Sequence, residues 1–281
     1  MKTTSVVTMA LIAVCVLGVD AGEPKTSAPA RRPVSATNTS TKAQAARYNS
    51  VKTASSRFDE EFQSVPTTPQ EIKCVLARMV VQSATQAEFR RFHDLLIGGN
   101  FTYLVSSVMV ARAENPHDHA ISRCLYGNDL AVCTMNNVDK SPLVIAELEA
   151  ALGEAIKTGI DQEHSLLVPA VVLALGGNYV YRAHDVDKSW KLYKECESIV
   201  KKEEGIRADY LGNIASSLMY GNNRPNMSSE TFTQMKTYVD QMLLDTRLSH
   251  REKYQCEQLR KALSSLSDGD LKKQDQAKKA Q

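Results

Sequence analysis

The cysteines are the residues of this chain that could form covalent cross-links, and their spacing indicates which of them could pair. Beyond residue 21 the chain carries Cys74, Cys124, Cys133, Cys196 and Cys256. We predict that Cys124 and Cys133 flank a turn containing Gly127-Asn128, which makes them candidate disulfide partners. Cys196 and Cys256 are predicted on helices two apart in order, so stacked helix pairs could bring them together. Cys74 is then left over and is expected as a small buried apolar residue.

Spacing cannot fix which cysteines pair, and their odd number leaves either one free thiol or a bond between two chains. No C-x-x-C pair occurs in the sequence. A redox dithiol motif or a zinc ribbon is therefore not indicated.

His117-Asp118-His119 is the cluster most similar to a metal site. Adjacent side chains point in different directions on a helix, so these two histidines would not bind one ion without a loop. The cluster follows Pro116 at a predicted helix start, where Asp118 suits the positive end of the helix dipole. We interpret it as structural or surface chemistry and expect no bound metal. The other histidines are scattered singly and are interpreted in the same way.

Motifs for catalysis or cofactor binding are missing from the sequence. No nucleophile elbow or glycine-rich phosphate loop occurs, since Gly98-Gly99 and Gly176-Gly177 lack the required spacing. The carboxylate pairs Glu60-Glu61 and Glu203-Glu204 lie in polar runs typical of solvated faces. The sequence predicts no catalytic residue and no cofactor, although an enzyme assembled from distant positions stays open.

Residues 1–21 predict export of the chain. Lys2 precedes an apolar run from Val6 to Val19, and small residues suit cleavage near Ala21. The run is too short for a membrane span, and no later stretch is apolar enough for one. We therefore expect a secreted protein, or a periplasmic one in a bacterium, in a compartment that permits disulfides.

Three N-glycosylation sequons begin at Asn38, Asn100 and Asn226. In a eukaryote these asparagines would be candidate acceptors after export. Asn38 lies in a predicted disordered segment and Asn226 in a predicted turn, so both are expected to be accessible.

Residues 22–57 are rich in Ser, Thr, Ala, Lys and Arg and have almost no large apolar side chain. Such a segment cannot offset its ordering entropy by burial, so we predict a disordered basic arm. Residues 270–281 are predicted as a second, basic tail. Because the whole chain has a formal charge of +2, the body at 58–269 is left acidic, which argues against a nucleic-acid-binding core. The arm is expected to solubilise the chain or to contact an anionic surface.

Apolar residues recur at helical spacing through 58–269, without strand alternation of useful length. This pattern predicts an all-α array of antiparallel helix pairs, either an α-solenoid or a helical bundle, with about nine or ten helices. Thr68 and Thr85 are predicted N-caps, and Pro116–Tyr126 is predicted as a short helix. Gly-Asn pairs are predicted to stop helices, and they begin at Gly99, Gly127, Gly177, Gly212 and Gly221.

Residues 163–204 are predicted to form two helices joined by a turn at Ala183–His184. The first carries a wide apolar stripe and is expected to be buried on more than one side. Gly176-Gly177 is expected to let a neighbouring backbone approach closely. The second places Trp190 and Tyr193 on one apolar face.

The same segment resembles one unit of a tetratricopeptide or Sel1-like helical repeat. The matching positions are Leu175, Gly176 and Tyr179 in the first helix, then Asp185, Lys188, Ser189, Tyr193 and Cys196 in the second. The sequence departs from the strict pattern because Lys188 stands where a small residue is expected and the closing proline is absent. The resemblance implies stacked helix pairs and covers about one unit.

We hypothesise a secreted, non-enzymatic helical protein that binds another protein, since stacked helix pairs form surfaces that usually bind peptides or proteins. The layout is similar to that of secreted effectors or adaptors. Arg57–Glu61 resembles the acidic element of oomycete effectors, although the upstream Arg-x-Leu-Arg string is missing. One alternative is a helical-bundle enzyme or small-ligand carrier with a deep apolar cavity. Another is an extracellular structural protein attached through the basic arm.

Overall fold

The computed structural model describes residues 58, 65–97, 99, 101–135, 137–160, 166–201, 203–220 and 227–266. These residues form eleven α-helices and one 3-10 turn, which confirms the predicted all-α fold. The predicted signal segment, basic arm, basic tail and the three sequon asparagines lie outside the described residues. No helix within the described ranges is both long and apolar enough to cross a membrane.

The helices follow one another through short connections. In chain order they are α1 (Pro69–Val81), α2 (Gln86–Leu95), α3 (Thr102–Ala111), α4 (Pro116–Cys133), α5 (Ser141–Thr158), α6 (Leu167–Tyr181), α7 (Val186–Glu195), α8 (Glu197–Val200), α9 (Glu204–Tyr220), α10 (Ser229–Leu243) and α11 (His250–Ser264). The 3-10 turn, Val138–Lys140, precedes α5.

Side-chain caps fix where several helices begin. Thr68 caps α1 and Thr85 caps α2, each in a capping box with the glutamate three residues later. Each box satisfies backbone N–H groups that the first helical turn leaves without a partner. Both predicted caps are therefore confirmed. Gly159, at φ +75°, ends α5 in the left-handed conformation that glycine adopts without strain.

The predicted stop at Gly127-Asn128 is wrong, because α4 runs without interruption from Pro116 to Cys133. A Cβ at Gly127 would lie 3.1 Å from Cδ2 of Leu148 on α5. The glycine therefore serves the close packing of α4 on α5. Gly177 and Gly212 likewise lie inside helices, in α6 and α9.

The described cysteines are free thiols. Cys124 and Cys133 lie on one continuous helix, about 13 Å apart along its axis, so they cannot bond within a chain. The predicted turn between them is therefore wrong. Cys196 and Cys256 are both buried and unpaired, so the second predicted disulfide is not formed. Cys74 was expected to be buried but is exposed on α1.

Two hydrophobic clusters hold the described helices together. The main cluster is built from α4 to α11, and Tyr193, Tyr210 and Ile206 are among its fully buried side chains. A smaller cluster is built from α1 to α3 together with Phe58. Leu125 on α4 contacts both clusters.

The predicted pair of helices is confirmed as α6 and α7, joined through Ala183–His184. Asp185 caps α7 by accepting a hydrogen bond from the backbone N–H of Lys188 at 2.9 Å. Ser189 on α7 donates to the carbonyl of Gly176 on α6 at 3.2 Å. Two small residues therefore meet where the pair crosses.

Helices α6 and α9 run parallel to each other. A Cβ built at Gly176 would overlap the Tyr210 ring, a Cβ built at Gly177 would lie 3.4 Å from Asn213 Nδ2, and Ser216 lies beside Tyr181. Residue numbers therefore rise together along both helices. The neighbour that Gly176 admits is an aromatic ring and not the backbone that the sequence led us to expect.

Helix α11 continues this parallel row beside α9. Arg251 lies against Gly205 near the start of both helices, and Gln255 lies against Gly212 one to two turns later. Helices α6, α9 and α11 thus form three neighbouring parallel helices, separated in sequence by α7, α8 and α10.

Replacing Gly176 with alanine should destabilise the fold by about 1–3 kcal/mol, because the new methyl group would overlap the buried ring of Tyr210. The Tyr210 hydroxyl donates to the carbonyl of Ser189 at 2.8 Å, which limits how far the ring can move. Gly153 on α5 is the matched control, since a Cβ there meets nothing within 4 Å.

For Gly153→Ala we expect stabilisation of about 0.5–1 kcal/mol from helix propensity. Urea denaturation of both variants measures the contrast. Equal changes in the free energy of unfolding for Gly176→Ala and Gly153→Ala would show that the Tyr210 ring moves away from the new methyl group at no cost.

Candidate functional site

A buried polar cluster joins α2, α3 and α4. Asp129 accepts hydrogen bonds at Oδ2 from Ser106 Oγ at 2.7 Å and from His93 Nε2 at 2.8 Å. His93 and Ser106 are fully buried, and Asp129 nearly so. His93 Nδ1 lies 3.5 Å from Asp94 Oδ1, at the limit of a hydrogen bond. The sequence did not reveal this cluster.

The cluster contains serine, histidine and aspartate but has no nucleophile–base pair, because Ser106 donates to Asp129 and not to His93. Burial in itself lowers the pKa of His93. The negative charge and hydrogen bond of Asp129, helped by Asp94, have a larger effect in the opposite direction and raise this pKa to about 10. The imidazolium and Asp129 therefore form a buried ion pair that ties α2 to α4. We interpret the cluster as structural.

The predicted histidine cluster lies at the start of α4. His119 Nδ1 lies 2.8 Å from Glu154 Oε2, and Arg123 binds the other oxygen of the same carboxylate at 2.5 Å. Burial in itself raises the pKa of Glu154. His119 and Arg123 have a larger effect in the opposite direction, so the pKa lies below its usual range. Nowhere in the described ranges do three or more His, Cys, Asp or Glu side chains group as a metal site would require.

A more exposed set of polar side chains lies on the row formed by α6, α9 and α11. On α9, Asp209, Asn213, Ser216 and Tyr220 recur at spacings of four, three and four residues, so they share one face. Asn213 contacts α6 at Gly177. This stripe therefore lies beside α6 and is in part open to solvent.

Each of the three helices carries one exposed tyrosine near this stripe. Tyr181 interacts with Ser216, Tyr220 belongs to the stripe itself, and Tyr254 adjoins Gln255, which lies against Gly212. Tyr181 on α6 is 43% exposed, Tyr220 on α9 is 68% exposed and Tyr254 on α11 is 51% exposed. We name this surface the tyrosine face. It comprises Gly177, Tyr181, Asp209, Asn213, Ser216, Tyr220, Arg251, Tyr254, Gln255 and Gln258.

One ion pair crosses the tyrosine face. Arg251 donates to Oδ1 of Asp209 at 2.5 Å, while Oδ2 of Asp209 is buried and has no protein partner. Burial raises the pKa of Asp209, and the guanidinium of Arg251 acts in the opposite direction without cancelling this effect. Asn178, next to Gly177, also keeps a buried amide oxygen without a protein partner. Buried hydrogen-bond acceptors without a protein partner therefore occur on α6 and α9, two of the helices that form the face.

A shallow hollow of about 130 Å³ lies between α10 and α11. Its lining is formed by Phe232, Lys236, Val239, Asp240, Arg260, Leu263 and Ser264. Pockets for small ligands usually enclose about 300–1,000 Å³. This hollow is therefore too small for the deep apolar cavity that an enzyme or ligand carrier would need.

Comparison of the chain with protein-family models, curated proteins and solved structures gives no match. The resemblance of residues 163–204 to a tetratricopeptide or Sel1-like unit therefore stays a prediction. The function has to be inferred from the geometry of the chain itself.

Proposed function

We propose that this protein is an exported, non-enzymatic module that binds another protein through the tyrosine face. The observation that carries the proposal is the placement of Tyr181, Tyr220 and Tyr254 on three neighbouring parallel helices. Tyrosine is enriched in protein interfaces and among the residues that dominate their binding energy. Helix packing already orders the backbone that carries these tyrosines, so binding has to order only their side chains.

Polar groups between the tyrosines support the same proposal. Asn213, Ser216 and Gln255 offer hydrogen-bond donors and acceptors around the rings. Such polar side chains between aromatic anchors favour a polypeptide partner over an apolar small molecule. If the predicted signal segment is used, the partner is met outside the cytoplasm. Mass spectrometry of the exported chain would test cleavage near Ala21.

Replacing Tyr220 with alanine should weaken partner binding about tenfold or more, because an interface anchor loses its ring. The measurement is capture from the extracellular or host fraction with the full chain, read by mass spectrometry, followed by titration of the captured protein. Leu244→Ala is the matched control, since Leu244 is 82% exposed but lies at the end of α10, outside the tyrosine face.

The proposal requires one reproducible partner that Leu244→Ala retains and Tyr220→Ala loses. A partner held equally by both variants would place the interface elsewhere on the protein. Failure of the folded chain to capture any protein would argue against a binding module.

A further inference from the structure

The hollow between α10 and α11 is of the right size for a single side chain. Val239 and Leu263 are buried and Phe232 is half-buried, and together they form its apolar lining. An apolar space of roughly 150 Å³ holds a group as large as benzene. At about 130 Å³, the hollow therefore has room for one aliphatic side chain and for little more.

Two cations at this hollow have no counter-ion. Lys236 on α10 and Arg260 on α11 both line the hollow and are exposed. Among the described residues neither of them forms an ion pair, not even with Asp240, which lines the same hollow. The surroundings of the hollow are therefore positively charged on balance. An occupant that suits them carries an aliphatic side chain next to carboxylates.

The chain itself continues from the edge of the hollow. Helix α11 ends at Ser264, which lines the hollow, and the described residues end at Leu266. Leu266 packs against the larger hydrophobic cluster, so the next residue starts from a fixed point near the hollow. The lining on α10, from Phe232 to Asp240, covers about 12 Å of the helix axis. Residues 267–271 span up to about 17 Å when extended, so they can reach the hollow.

The residues that follow α11 have the composition that the hollow requires. Leu271 is the only large apolar residue in 267–281. Asp268 and Asp270 precede it, so two carboxylates accompany the single apolar side chain. Asp268-Gly269 is a dipeptide typical of turns, which would let the chain reverse its direction after α11. The segment therefore combines a turn signal, two carboxylates and one aliphatic anchor.

We propose that residues 267–271 fold back onto the hollow and place Leu271 against its apolar lining. The two carboxylates of the segment then lie beside Lys236 and Arg260. Burial of the leucine side chain supplies most of the stabilisation, because exposed ion pairs contribute little by themselves. The hollow shares no residue with the tyrosine face, so this contact does not depend on the proposed function.

Digestion with a lysine-specific endoprotease tests the contact, because a protease cleaves only a segment that is accessible. Lys272 and Lys273, the near lysines, follow Leu271 directly, whereas Lys278 and Lys279, the far lysines, lie beyond it. A synthetic peptide of residues 267–281 gives the cleavage rates of the undocked sequence. In the full chain we expect cleavage at the near lysines to be about fivefold slower than in the peptide. Cleavage at the far lysines should be equally fast in both, and mass spectrometry identifies the products.

A charge exchange tests which groups meet. The double variant Lys236→Glu/Arg260→Glu leaves the cleaved segment unchanged but repels its carboxylates, so cleavage at the near lysines should approach the rate in the peptide. Adding Asp268→Arg and Asp270→Arg introduces no lysine and should restore slow cleavage, relative to a peptide with the same two changes.

The matched control is Lys157→Glu/Lys253→Glu, which changes the net charge equally at exposed positions that do not line the hollow. This variant should keep slow cleavage at the near lysines, and circular dichroism checks that each variant is folded. Leu271→Ser lies outside the helices and does not disturb their packing. It should accelerate cleavage at the near lysines, again relative to the peptide with the same change.

Equal rates at the near lysines in the full chain and the peptide would overturn the proposal and leave the hollow open to a side chain of another protein. Slow cleavage that persists in Leu271→Ser or in the folded Lys236→Glu/Arg260→Glu variant would also overturn it, since the segment would then be held elsewhere. So would fast cleavage in the folded variant that carries all four charge changes.

Discussion

Replacing Trp190 with alanine is expected to cost about 3–5 kcal/mol of folding free energy. Trp190 is 2% exposed and stacks on Tyr193, with ring centroids 5.3 Å apart. It also meets the edge of Tyr238 on α10 and donates from Nε1 to Gln234 Oε1 at 3.1 Å. The substitution would leave a large cavity between α7 and α10 and an amide without its donor.

Urea denaturation monitored by circular dichroism measures this loss. Tryptophan fluorescence cannot be used, because Trp190 is the single tryptophan and is absent from the variant. Tyr254→Ala is the matched control, because Tyr254 is half-exposed and should change stability by less than about 0.5 kcal/mol. A loss below about 1 kcal/mol for Trp190→Ala would contradict its burial and make it a candidate for partner binding.

Replacing His93 with leucine should cost about 3–5 kcal/mol, because Asp129 would keep a buried charge without its counter-ion. Adding Asp129→Leu should recover part of this loss, since an apolar pair can replace a buried ion pair at little cost. His119 and Glu154 form a more exposed pair, so His119→Ala should lower the free energy of unfolding by no more than about 1 kcal/mol. Equal losses in His93→Leu and His119→Ala would contradict the structural role of the buried pair.

The buried pair also makes stability depend on pH. The folded-state pKa of His93, about 10, lies above its usual value near 6.5, so folding favours the protonated ring. Its contribution is complete below about pH 6.5 and is lost as the pH rises through about 10. The free energy of unfolding should fall by up to about 1.4 kcal/mol per pH unit in this window, relative to the double variant His93→Leu/Asp129→Leu, which lacks both titratable groups of the pair. A constant difference between the two proteins from pH 7 to 10 would mean that His93 is not protonated in the folded state.

Helix starts and the fold class could be predicted from the sequence because their signals are local. Thr68 and Thr85 each precede an apolar periodic segment and have a glutamate three residues later, so the capping box is visible in a short window. Helix ends were less predictable. Glycine at Gly127 was interpreted as a stop, but its small size serves packing against Leu148. Spacing alone does not distinguish these two uses of glycine.

The polar sites depend on contacts between residues far apart in sequence. His93 and Asp129 are 36 residues apart, and no short motif links them. On the tyrosine face, the spacing of Asp209, Asn213, Ser216 and Tyr220 was visible as one helical stripe, but nothing local showed that it remains exposed. Its exposure depends on which faces of α9 the helices α6 and α11 cover, and the sequence did not specify that packing.

The two hydrophobic clusters, which both contact Leu125, also imply an order of local opening. Residues of α1 and α2 pack only into the smaller cluster, whereas α4 to α11 share the larger one. Regions with fewer buried apolar contacts open at lower free energy than the rest of a fold. Amide hydrogens of α1 and α2 should therefore exchange with solvent earlier than those of α6 and α9. The buried His93–Asp129 ion pair has to break before α2 can separate from α4, so it raises the free energy of this local opening.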